Sequence, residues 1–406
     1  MVAASVAAYF SISKFFARLQ LKCFADPLWI LLLINCFWLN TYFAVPVTTL
    51  LIYVLFCTLF FFYVVRYVRK KYCFVVVSVL IALLFWLLAK VPTFFHMPRL
   101  YGGPFSFAAL LPWIGVPYIF SRLVAFAIHG YYGKLPANYR LADFLAQMAF
   151  FPTFLSGPVT TPQTFDLKFA RQKFDLETYL KKFAFPGLQR IGIGILKKYI
   201  VAEIISSIAL PFIDIDRSSK VRLILGVYAY TAYLYADFSG YTDLAIGLSK
   251  ILKIEIPENF NYPFWARNPQ DFWARWHISF SKWLYEFIFA PVYAFLLKVF
   301  NSAGKIWLAG IAIFTTFASS GIWHGEEWRY FSEGIYHATA LLIFVIFDGL
   351  LKQYQPKLRK RMKDSTYVAF VSRLVTFHYV VVGLIIFSMN MYDIKRVVSH
   401  LIGNVL

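Results

Sequence analysis

VPVTTLLIYVLFCTLFFFYVVRYVRKK, residues 45–71, runs for twenty-one positions without a charged side chain and then places Arg66, Arg69, Lys70 and Lys71 within six. About twenty apolar residues are needed to cross the hydrocarbon core of a bilayer as a helix. A basic cluster just past such a run marks its cytoplasmic end. Apolar runs at 28–39 and 74–88 flank this one. They are continuous, whereas a transmembrane β-barrel would alternate apolar and polar residues in strands of about ten.

Composition agrees with that stretch. Of 406 residues, 60% are hydrophobic and 15% charged, against about 25% charged in soluble chains. The reading is an all-α polytopic protein of the cell (plasma) membrane, multi-pass. Forty Lys and Arg against twenty Asp and Glu give a formal charge of +20. The bases cluster between apolar runs, at 66–71, 168–198 and 352–363. That pattern is membrane orientation, with anionic lipids as partner and no nucleic acid. Cys23, Cys36, Cys57 and Cys73 lack CxxC spacing and lie far from any histidine cluster, so they read as small buried hydrophobes.

Along the chain, residues 1–24 carry Lys14, Arg18 and Lys22 at helical spacing and read as an interfacial helix or a short first span. Spans are expected at 28–44, 46–66, 74–92, 183–213, 222–250, 306–323 and 330–351, with a last one across VTFHYVVVGLIIFS, residues 375–388. Between 104 and 162 the pattern changes. Gly102, Gly103, Pro104, Pro112, Gly115, Pro117 and FPTFLSGPVTTP (residues 151–162) interrupt apolar sequence. At membrane depth such interruptions survive where protein or a water-filled cavity satisfies the freed backbone groups. The segment is therefore expected to hold broken or re-entrant helices. Within 222–250, Asp237 and Asp243 must face a polar interior or the interface.

Chemistry concentrates in PENFNYPF (257–264), NPQDFWARWHISFSKWL (268–284) and SSGIWHGEEW (319–328). Asn268 is a good N-cap, Pro269 suits the first helical position and Asp271 the first turn. A helix is expected from there to Leu284, with Trp273, His277, Phe280, Ser281 and Leu284 on one face and Asp271–Arg275 as a neighbouring pair. His324 follows Trp323 at a helix end between small residues. Burial lowers a histidine's pKa, keeping the imidazole neutral and able to take a proton from a hydroxyl. His337 and His378, in later spans, read as structural.

These motifs, with DFSGYTDLAIGL (237–248) and GIYHA (334–338), resemble the membrane-bound O-acyltransferase (MBOAT) family. The similarity is to its bacterial cell-surface branch, which holds the alginate O-acetyltransferase (AlgI) and teichoic acid D-alanyltransferase (DltB) membrane subunits. The resemblance covers residues 151–348, about half the chain. It implies one integral membrane domain over 1–406, a ring of about 10–12 spanning helices plus broken helices around a central tunnel. Residues 1–100 would be N-terminal helices, 101–350 the catalytic core, and 351–406 a basic loop and last span.

At matching positions the resemblance implies His324 as the catalytic residue and His277 as its partner. Ser281, Arg275, Trp273 and Trp323 are the candidate substrate-binding residues around them. No cofactor is expected bound in the chain. The acyl donor would be a phosphopantetheine thioester on an acyl carrier protein at the cytoplasmic face, or acetyl-CoA. Other subunits of a surface-polymer modification system would be further partners. TFLSGP, WLYEFIF and IYHATALL lean toward D-alanyl transfer, PENFNYPF and RWHIS equally toward acetyl transfer. Tyr285–Glu286 departs from the more usual Arg–Asp pair, and GEEW carries two acids. Two other classes remain at this stage: a proton-relaying transporter, which predicts an internal repeat, and a non-catalytic export scaffold.

Overall fold

The computed structural model describes residues 47–68, 72–94, 115–170, 175–300 and 305–403 except Asn138 and Glu326, with Leu31, 33–35, Phe37 and Trp38. The expected N-terminal helix, Cys23, Cys36, Arg69 to Lys71 and the glycines and prolines of 102–112 lie outside them. The described secondary structure is helical, with two isolated β-bridges. Among the described residues, four helices are long and apolar enough to cross a membrane: Ile278–Val299, Lys305–His324, Trp328–Tyr354 and Thr366–Ser388. Shorter apolar helices are Tyr53–Val68 and Tyr72–Leu84. Large side chains such as Leu55, Leu59, Phe62, Ile343 and Phe347 are exposed, as an outward face solvated by lipid requires. The protein is a polytopic helical membrane protein.

The chain packs as two compact units. The first comprises residues 1–193 and 242–257, the second 194–241 and 258–406. In the first unit, α1 (Val47–Tyr63, continued by a π turn at Val64–Val68), α2 (Tyr72–Phe94), α3 (Val116–Tyr131) and α4 (Leu141–Met148) surround a nest of rings. Phe126 lies 4.4 Å from Phe144 and 5.5 Å from Phe61 between ring centroids. Pro117 does not break a helix here but opens α3, where its missing N–H is harmless. Gly115 before it has φ +57, and a Cβ there would run into the Phe154 carbonyl. Only glycine fits that turn.

The segment after α4 is irregular and largely buried, a short 3₁₀ turn at Phe151–Thr153 followed by turns. Carbonyls at the end of α4 and at Thr153 are gathered by Arg122 of α3, which is 0% exposed. The guanidinium donates to the carbonyls of Gln147 (2.8 Å), Met148 (3.2 Å) and Thr153 (2.7 Å) and to Thr153 Oγ1 (2.7 Å). The Phe151 N–H donates to Asn35 Oδ1 (3.3 Å) and the Tyr53 hydroxyl to the Met148 carbonyl (3.1 Å). Protein thus satisfies the broken backbone, as the membrane interior demands. An antiparallel bridge between Asp166 and Glu255 closes this region.

Helix α5 spans 176–206, its α-helical stretches joined by π turns at Leu180–Ala184 and Leu196–Val201. It runs along α6 (Lys220–Ile251). In the first unit Arg190 meets Asp243 at 2.5 Å, and in the second Lys198 meets Asp237 at 2.5 Å. The two carboxylates flagged within an apolar helix are therefore ion-paired across a helix–helix contact. Glycines allow the approach: a Cβ on Gly187 would sit 2.8 Å from the Gly247 carbonyl oxygen, and one on Gly240 2.7 Å from the Lys198 nitrogen.

The second unit continues with α7 (Pro269–Trp273), α8 (Ile278–Val299), α9 (Lys305–His324), α10 (Trp328–Tyr354), α11 (Pro356–Asp364), α12 (Thr366–Ser388) and α13 (Met391–Ile402). The membrane-length helix α8 was not among the expected spans. Its apolar run is disguised by Glu286 and Pro291, and Pro291 is tolerated because it follows a π turn at Tyr285–Phe289. α9 and α10 form an antiparallel hairpin closed by glycine. A Cβ on Gly321 would lie 2.9 Å from the Tyr330 carbonyl carbon and 3.0 Å from the Phe331 Cα. Backbone cannot yield as a side chain can. Gly321→Ala is expected to cost about 1–3 kcal/mol and lower the melting temperature in detergent. Gly349→Ala, with nothing within 4 Å, is the control and should be neutral or slightly stabilising.

Candidate active site

The helix predicted from Asn268 begins as expected. Asn268 Oδ1 accepts from the Asp271 N–H at 2.8 Å and Pro269 takes the first turn. It does not continue to Leu284. α7 ends at Trp273, the chain turns, and His277 stands as the N-cap of α8 with φ 44 and ψ 49. A non-glycine residue in the left-handed region is strained, and such residues persist where surrounding structure over-determines them. Hydrogen bonds from residues 259–261 do that here. The Asn261 N–H donates to the Arg275 carbonyl and the Ile278 N–H to the Asn259 carbonyl, each at 3.0 Å. The Asn259 side chain, 0% exposed, accepts from the Ser279 N–H (3.3 Å) and hydroxyl (2.5 Å).

The break corrects the single-face expectation. Trp273 stays on α7 and packs edge-on to His337 at 4.9 Å and against Phe317 at 5.2 Å. Ser281 donates to the Trp276 carbonyl at 3.2 Å, securing the same turn. Arg275 is tied to Asp271 at 2.6 Å, the pair expected from their spacing, and reaches the Asn261 carbonyl at 3.3 Å. Of the predicted residues, His277, His324 and Trp323 gather around Phe280. Ring centroids put Phe280 5.0 Å from His277, 5.8 Å from His324 and 4.3 Å from Trp323.

The two imidazoles differ in surroundings. His277 is 4% exposed, with Phe238 edge-on at 4.9 Å, and its Nε2 has no hydrogen-bond partner among the described residues. Leaving such a nitrogen dry and unpaired costs about 1–3 kcal/mol, which a bound polar group removes. His324, the last residue of α9, is half-buried among Trp323 (5.0 Å), Phe387 (5.2 Å) and Tyr330 (6.3 Å). Asn259, Phe238 and Phe387 were not singled out from sequence. The only signal for Asn259 was its place inside PENFNYPF, too general to give it a role.

The backbone at His277 makes a separable prediction. Asparagine tolerates the left-handed region, so His277→Asn should keep the wild-type melting temperature. The β-branched His277→Val should lose about 1–3 kcal/mol of stability. Equal melting of the two variants would show that the turn imposes no such constraint.

His337 binds into a different network. Its Nε2 lies 3.1 Å from Glu333 Oε1 and its Nδ1 meets the Tyr379 hydroxyl. His378 hydrogen-bonds the Leu374 carbonyl of its own helix at 2.8 Å and packs edge-on to Tyr228 at 5.9 Å. Among the described residues, no three His, Cys, Asp or Glu side chains are arranged to hold a metal ion.

A helical membrane protein with one buried and one half-buried imidazole against a shared phenylalanine has the parts for proton transfer at a water-poor site. The chain belongs to the membrane-bound O-acyltransferase family, whose profile matches residues 7–387. It is 30% identical over 312 residues to the teichoic acid D-alanyltransferase of Bacillus subtilis (strain 168), covering 77% of this chain and 76% of that one. With the teichoic acid D-alanyltransferase of Streptococcus thermophilus it shares 30% over 300 residues, 70% of each. With the probable alginate O-acetylase AlgI of Azotobacter vinelandii it shares 33% over 243 residues, 59% of this chain and 46% of that one. The protein is a membrane O-acyltransferase of the branch to which these relatives belong.

Proposed function

We propose that this chain transfers a D-alanyl group from a cytoplasmic thioester to hydroxyls of a cell-surface glycopolymer such as teichoic acid, with His324 and His277 as the catalytic pair. The gathering of both histidines about Phe280 carries the reading. D-alanyl is preferred as the acyl group because the D-alanyltransferase relatives are matched over more of both chains than the alginate ones.

In this reading the imidazole of His324 accepts the proton of the acceptor hydroxyl as its oxygen attacks the thioester carbonyl carbon. The C=O pair moves onto oxygen, where an N–H of His277 donates to the oxyanion. The intermediate collapses, the C–S bond breaks, and the imidazolium returns its proton to the departing thiolate. Ester and thiol are the products. Half-burial of His324 leaves room for an acceptor beside it. Trp323 fills the floor against Phe280, while Ser281 and Arg275 act at one remove, by fixing the turn that carries His277.

The donor is a phosphopantetheine thioester on a small acidic carrier protein. Helix α11, with Lys357, Arg359, Lys360, Arg361 and Lys363 in nine residues, supports docking of such a partner at the cytoplasmic face beside anionic lipid. Mass analysis of surface polymers from cells with and without the gene tests the reading. Ester-linked D-alanine present only with the protein supports it. Loss of acetyl groups instead moves the protein to alginate-like O-acetylation from acetyl-CoA with the same histidine roles. No change in any surface ester rejects both.

A further inference from the structure

The second unit contains a pocket of ≈ 570 Å³ lined by Tyr262, Trp265, Arg267, Asp271, Arg275 and Arg373. Three guanidinium groups face one carboxylate, and that carboxylate is already committed. Its Oδ1 takes Arg275 at 2.6 Å and its Oδ2 accepts from the Arg267 backbone N–H at 3.0 Å. Arg267 and Arg373 have no carboxylate partner among the described residues. Arg373 belongs to α12, a helix apolar enough to span the membrane, where an arginine is costly and marks function by default. Its guanidinium lies over the Trp265 ring at 5.2 Å, and its Nε is buried without a hydrogen-bond partner among the described residues. Trp265 and Tyr262, 63% and 71% exposed, stand at the rim.

Position adds a second argument. Arg373 is seven residues into α12, about 10 Å from the end joined to the basic helix α11. By the charge rule that end is cytoplasmic. His324 lies against Phe387, fourteen residues and about 21 Å farther along the same helix. The pocket is therefore a separate place from His324, near the leaflet where anionic headgroups and a phosphorylated donor arm are both found.

From the uncommitted guanidinium charge, the aromatic rim and the volume, we infer that this pocket binds a phosphate group. Forked N–H donors match phosphate oxygens two at a time, and the aromatic rim suits the apolar remainder of the ligand. The phosphate belongs either to a membrane phospholipid or to the phosphopantetheine arm of the acyl donor. The binding assignment stands on the pocket alone, and only the donor source rests on the proposed acyl transfer.

Full-length protein, delipidated in detergent, is tested with two probes: phosphatidylglycerol, read by native mass spectrometry, and coenzyme A, a soluble carrier of phosphopantetheine, read by calorimetry. Wild type is expected to bind at least one, and Arg267→Gln and Arg373→Gln each to weaken it about tenfold to a hundredfold. Arg267→Gln keeps the backbone N–H that Asp271 accepts, so it reports on binding even if Arg373→Gln does not fold. Arg222→Gln, exposed near the start of α6, removes the same single charge outside the pocket and should leave binding within about twofold. Retention of phosphatidylglycerol identifies a lipid site, and binding of coenzyme A a donor site. Binding of neither probe, or an equal loss in Arg222→Gln, overturns the inference while leaving the acyl-transfer reading to its own test.

Discussion

His324→Ala, expressed at the wild-type level, is expected to lower transfer of ester-linked acyl groups by about 10²–10⁴-fold, the range a positioned general base contributes. The imidazole sits at the end of α9 among Trp323, Tyr330 and Phe387 rather than deep in the packing. Its removal should therefore shift the melting temperature by only a few degrees. The measurement pairs polymer mass analysis with thermal melting of the purified protein. Full surface esterification in a strain carrying only His324→Ala would remove this residue from the mechanism. His277→Asn should fall with it, and the double variant should lose little more than either alone, because residues acting as one unit are not additive.

Arg122→Ala is expected to have the largest effect on the folded protein. Its guanidinium is the shared donor for the carbonyls of Gln147 and Met148, at the end of α4, and for the carbonyl and Oγ1 of Thr153 in the irregular segment that follows. Truncation strands those acceptors where water is scarce, at a cost on the order of 3–5 kcal/mol, comparable to much of a domain's stability. Loss of monodisperse protein on size-exclusion chromatography is the expected readout. Arg122→Lys should rescue only partly, since an ammonium keeps the charge but cannot fork to several acceptors. A monodisperse Arg122→Ala with wild-type melting would mean that 149–162 is held by something else.

Much of this protein is settled by linear pattern. Uncharged runs of about twenty residues call for spanning helices, because the bilayer penalises charge and unpaired backbone whatever the tertiary arrangement. Asn268–Pro269 fixed a helix start because capping is local chemistry. The aromatic frames around His277 and His324 were visible for the same reason.

What only the tertiary structure decided is where distant segments meet. The break at His277 depends on Asn259 and Asn261, some sixteen to eighteen residues earlier, and overrides a stretch whose spacing reads as one helix. The pairing of Asp237 with Lys198 and Asp243 with Arg190 supplies the polar partners that two carboxylates in an apolar helix require. The collection of carbonyls by Arg122 and the convergence of Arg267, Arg275 and Arg373 on one pocket have no linear signature. A helix or a cap is chosen within a few residues by local hydrogen bonds and solvent. A ligand pocket or a strained turn is held by contacts across tens of residues, and those exist only once the helices have packed.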